Sequence, residues 1–112
     1  MATSRATKLE DWAVAKGMPR LNAGGLVRAI EALAGNLSPD ARAAAAATGT
    51  DPDAAEVAAW NAAIPQITGA LQATMAIEVE YIEMIDVLED CGYISQELSA
   101  SLRGITEPAG DA

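Results

Sequence analysis

Between Leu9 and Leu102 the apolar residues of this chain return at intervals of three and four, and no stretch keeps a period of two for long. That pattern restricts it to helices, because only a 3.6-residue turn collects such positions on one face. Leu26, Ile30, Leu33 and Leu37 form one such stripe. Gly and Pro punctuate the pattern. Thr7 to Glu10 has capping-box spacing, and Gly17 with Pro19 closes a short helix over residues 8–16. Asn22 caps a second helix, about 23–37. Ser38-Pro39-Asp40 and Asp51-Pro52-Asp53 each read as a helix start: a cap, a Pro at the first position, then an acid favoured by the helix dipole. Pro65 breaks or kinks the helix it follows. Gly92 reads as a left-handed terminator, and Ser95 caps a last helix over 96–103.

The longest uninterrupted pattern covers about 66–90. On a helical wheel Ile67, Leu71, Ile82 and Ile85 fall within about 40° of Glu78, and the apolar arc widens to about 180°. An arc that wide needs at least two neighbours, so this helix is expected at the centre. Residues 77–82 alternate briefly (Ile, Glu, Val, Glu, Tyr, Ile), but the longer window favours the helical period. The expected fold is therefore all-α: a small bundle of short helices packed around one long helix, with 96–103 folded back beside it. Residues 1–22 read as a basic N-terminal arm carrying a short helix, 23–105 as the bundle, and 106–112 as a flexible tail.

Half of the residues are apolar (51 %), but many are Ala and none is Phe. The core must come from Leu, Ile, Val, Met, two Trp and two Tyr. Trp12 is read either as core or as an anchor on another surface, since buried Trp and Arg dominate interface energies.

The charges are divided. Six of the seven bases, Arg5, Lys8, Lys16, Arg20, Arg28 and Arg42, precede residue 43, and none occurs from 43 to 102. That second stretch holds ten acids, and the whole chain carries a net −9. Glu78, in the middle of the expected apolar arc, would be a buried carboxylate and would need a partner. Either Arg28 or Arg42 supplies it, or Glu78 sets register in an oligomer. Glu80, Glu83, Asp86 and Asp90 would line the opposite, exposed side. The remaining bases, Arg5, Lys8, Lys16 and Arg20, would face outward beside Trp12.

Catalysis is not expected. The chain has no His, which removes Ser-His and Cys-His nucleophiles and every His-containing metal site. Gly24-Gly25 lacks the residues of a phosphate loop, and Asp51-x-Asp53 is short of a calcium loop. Cys91, at a helix end beside Glu89 and Asp90, is a poor nucleophile. No cofactor or metal is expected.

The lone Cys and the missing apolar leader point to a reducing, intracellular setting. The Ala, Gly, Asp and Arg bias points to a GC-rich bacterial or phage genome. A net −9 disfavours direct binding to nucleic acid or to anionic membranes. Protein partners remain. A basic start and an acidic remainder are complementary between copies, which suits a small subunit of an oligomeric assembly such as a phage particle, in the bacterial cytoplasm or the virion. The alternative is an acidic inhibitor or adaptor that covers the nucleic-acid-binding surface of a partner.

Overall fold

A computed structural model describes residues 4–106, and among these residues every regular element is a helix. They are α1 (Arg5–Ala15), α2 (Arg20–Thr48), α3 (Pro52–Met75), α4 (Tyr81–Cys91) and α5 (Gln96–Thr106). The molecule is a small all-α bundle, as the periodicity requires. The expected tail, apart from Thr106 at the end of α5, lies outside the described residues.

Local chemistry starts and stops most of these helices where the sequence signals do. Asp51 accepts a hydrogen bond from the Asp53 N–H at 3.0 Å, and Ser95 accepts one from Leu98 N–H at 3.1 Å. Gly17, Gly49 and Gly92 all have positive φ. After each, the next N–H reaches five residues back: Met18 to Ala13, Thr50 to Ala45, and Tyr93 to Leu88. This closes the carbonyls at the helix end. At α1 the cap lies earlier than expected: Ser4, not Thr7, accepts from the N–H of Thr7 at 3.1 Å. The last helix runs past Gly104 to Thr106.

The prolines do not break helices here. α2 continues through Pro39 and α3 through Pro65. Each Pro forfeits one backbone hydrogen bond, to the carbonyl four residues earlier. At Pro39 that carbonyl belongs to exposed Gly35, where water can replace it. The helix expected over 23–37 and the one expected to start at Ser38-Pro39-Asp40 are therefore one.

The expected long helix over 66–90 is two helices. α3 ends at Met75, and Ala76 adopts a left-handed conformation (φ 53°). The N–H of Ile77 then donates to Leu71 C=O at 3.2 Å. Residues 76–80 form no regular element: Val79 is buried and Ile77 half-buried, while Glu78 and Glu80 are exposed. The brief alternation from Ile77 was the true local signal. It is a two-residue period, and it turns Glu78 to water, so Glu78 is not a buried carboxylate that must be neutralised. α4 resumes after Glu80 and buries Met84, Ile85 and Leu88 completely.

The expected N-terminal arm is part of the core. Leu9 and Ala13 of α1 are fully buried and Met18 nearly so. α1 packs on α2 and α4, α2 on α3, α3 on α4 and α5, and α4 on α5. Trp12 is half-buried against this core. Trp60 of α3 is the largest fully buried side chain, 1 % exposed, and its indole N–H donates to Ser38 of α2 at 2.9 Å.

Two variants check these points. Ala76→Gly should raise stability by about 0.5–1 kcal/mol, because relief of a left-handed Ala exceeds the added chain entropy of Gly. Trp60→Ala should cost about 3–5 kcal/mol, a large part of the stability of a domain this size. Urea unfolding followed by circular dichroism measures both.

Candidate functional site

The charged side chains that seemed available for partners are mostly spent within the chain. Arg5 of α1 makes two hydrogen bonds to Glu31 of α2, at 3.0 and 3.2 Å. Its guanidinium lies 4.5 Å from the ring centre of Tyr93, whose hydroxyl donates to the same Glu31 carboxylate at 2.6 Å. Lys16 pairs with Glu83 of α4 at 2.8 Å, and Arg20 with Glu10 at 3.2 Å. Arg42, near the end of α2, bridges Asp53 and Glu56 at the start of α3, at 2.7 and 3.0 Å. Arg103 of α5 pairs with Asp86 and lies 3.7 Å from Glu89, which accepts from Ser99 at 2.6 Å.

The expected assignments change accordingly. Neither Arg28 nor Arg42 reaches Glu78: Arg42 holds two other carboxylates, and Arg28 lies exposed along Gly24 and Gly25 of its own helix. The acidic row is interrupted, because Glu83 and Asp86 are paired with bases while Glu80 and Asp90 are not, among the described residues. Of the bases expected to face outward, Arg5, Lys16 and Arg20 hold carboxylates of their own chain, and Lys8 is exposed.

The Arg5–Glu31–Tyr93 cluster joins α1, α2 and the turn between α4 and α5. The hydrogen bonds from Arg5, and next the one from Tyr93, hold the Glu31 carboxyl below its ordinary range. Burial, and next the bond to Glu31, pushes the Tyr93 phenol far up, so it stays a donor. Cys91 is buried, and burial followed by the Asp90 charge raises its thiol pKa, while Lys8 opposes. The thiol is therefore protonated near neutral pH, as its position in the sequence implied. Among the described residues no three Cys, Asp or Glu side chains gather into a metal-binding group.

What the charges leave open is an apolar groove between α2 and α3, of about 520 Å³. Leu21, Gly25, Ala29 and Leu33 line one wall, and Ala63, Ile67, Ala70 and Met75 the other. Two local causes make it. The small residues on both helices leave space between their axes, and α1, α4 and α5 do not fill it. Leu21, at the start of α2, is 84 % exposed, the largest exposure of any large apolar side chain among the described residues. The α3 wall is also uncharged throughout, since no charged residue occurs from Val57 to Ile77. The groove was not expected because 66–75 was assigned to a central helix with at least two neighbours over its apolar arc. The available signal was the uncharged run itself, in a chain that is 21 % charged overall.

Among the described residues no helix is long and apolar enough to cross a membrane. Comparison with models of protein families, with curated proteins and with solved structures finds no match.

The cluster yields two measurements. Tyr93→Phe should cost about 1–2 kcal/mol at neutral pH, the loss of a hydrogen bond to a charged acceptor. A carboxyl whose pKa is lower folded than unfolded contributes stability that is complete above its unfolded value and is lost as pH falls through its folded value. Glu31→Gln should therefore make stability fall less steeply with acid below pH 4.5, the ordinary carboxyl value. Urea midpoints at a series of pH values, compared with the unmodified chain, give the slope.

Proposed function

We propose that this protein is a non-enzymatic helical protein–protein interaction module, a small structural subunit of an oligomeric assembly such as a phage particle. The α2–α3 groove is its contact surface. One observation carries this reading: Leu21 stands 84 % exposed at one end of an uncharged, apolar groove. Water-exposed apolar concavities of this kind are where partners gain most from burial. The chemistry of the chain agrees. It has no His, and its one thiol is buried and protonated. Its ion pairs join its own helices and are mostly half-exposed, worth little individually and better suited to orienting elements than to binding partners.

A photo-cross-linking residue placed at Leu21, at Gln66, at Asp90 and at Ala100 tests the assignment in cells that make the protein. Gln66 lines the groove, whereas Asp90 and Ala100 are exposed elsewhere. Discrete protein adducts are expected from positions 21 and 66 and not from 100. Adducts from position 90 alone would favour the acidic adaptor instead.

A further inference from the structure

We propose that the groove pairs with itself: two copies meet in an isologous two-fold contact, the Leu21 of each seated in the groove of the other. This rests on the reading of the groove as a contact surface and adds the identity of the occupant.

Three observations select a second copy. The first is shape. A two-fold contact needs projection and recess on one patch, so that each copy supplies both. Here Leu21 projects at the start of α2, and the recess continues along the same face to Leu33 and Ala63. With the two α2 helices antiparallel and the axis near the middle of this stretch, Leu21 of one copy falls opposite the Leu33 end of the other. The second is side-chain size. Near that axis lie Gly25 and Ala29, small enough for two helices to approach closely once the exposed Arg28 side chain, which lies along Gly24 and Gly25, swings aside. The third is charge. Two chains of net −9 repel, and a contact survives best where no carboxylate opposes another. None of the residues lining the groove is charged.

The extent of the patch sets the strength. Residues 21–33 cover about 18 Å of helix, and two helices side by side are about 20 Å wide. That is roughly 400 Å² per copy, about half of a standard interface. The pair should therefore be weak and transient, and it should close at two copies. Its salt dependence is characteristic. The favourable term is apolar burial, whereas the long-range charges, including Arg28 near Arg28 beside the axis, oppose association. Salt screens the opposition, so the dimer tightens as salt rises. Contacts between a basic end and an acidic end would weaken instead.

Sedimentation equilibrium on the full chain, from about 10 µM to about 1 mM, at about 0.05 M and about 0.5 M salt, decides it. A monomer–dimer equilibrium is expected, several-fold tighter at the higher salt. Leu21→Asp should weaken it at least about tenfold. Because Leu21 is exposed, circular dichroism and the urea midpoint of that variant should be unchanged, and Ala100→Asp should dimerise normally. A chain that is monomeric at every concentration and salt overturns self-pairing, while groove adducts with another protein would still support the contact surface. Association that weakens with salt, or that survives Leu21→Asp, overturns the pairing and the groove assignment together.

Discussion

The burial of Trp60 is the constraint from which the rest of the packing follows. A chain with no Phe and a great deal of Ala has few side chains large enough to hold helices in one arrangement. Trp60 is one of two Trp residues, and it is the one that lies fully inside. Its indole N–H must find an acceptor there, or the burial costs more than it contributes. Ser38 of α2 supplies that acceptor. The hydrogen bond therefore sets α2 and α3 in register, and the two longest helices become a fixed pair. Arg42, bridging Asp53 and Glu56 across the connection, holds the same pair at its closed end. α1, α4 and α5 then cover one side of it with Leu9, Met84, Leu88 and Leu102.

This explains why some elements could be read directly and others could not. Helix ends that depend on local chemistry were legible: Gly17, Gly92, Asp51 and Ser95 act where their residue types say they must. The class of fold was legible for the same reason, since the 3.6-residue period is local. Pro39 and Pro65 misled because a single lost hydrogen bond is small beside the tertiary burial of Ile30 and Ala45 on either side of Pro39, and of Ile64 and Leu71 on either side of Pro65. Ala76 misled in the other direction. Nothing in its residue type announces a left-handed turn, and its neighbours Ile77 and Val79 reach the core only because the helix has ended there. On an ideal wheel Glu78 sat at the centre of an apolar arc, but the wheel presumes a helix that the core packing interrupts.

The division of charge also takes a different meaning. Read along the chain it suggested surfaces for other molecules. In space, basic and acidic stretches are brought together: Lys16 on Glu83, Arg42 on Asp53 and Glu56, with Arg5 and Arg20 answered by Glu31 and Glu10. The bases lie early in sequence because α1 and α2 lie early, and these helices pack against the acidic ones. Ion pairs of this kind depend on direction and discriminate among helix arrangements more than they add stability. They orient α1 against α4 and fix the α2–α3 connection.

It follows that the part of the surface able to gain from contact is the part that charge does not occupy. Seven bases cannot neutralise sixteen acids, so the molecule as a whole repels copies of itself. The α2–α3 groove is the exception that the small residues of both helices create: Gly25 and Ala29 on one wall and Ala63 and Ala70 on the other leave a recess, and no charge lines it. Burying Leu21 there removes from water the most exposed large apolar side chain among the described residues. The same Ala-rich composition that leaves little to fill the core therefore also leaves one face unfilled. A net-negative chain can use that face only through apolar contact, and such contact is strengthened, not weakened, when its charges are screened.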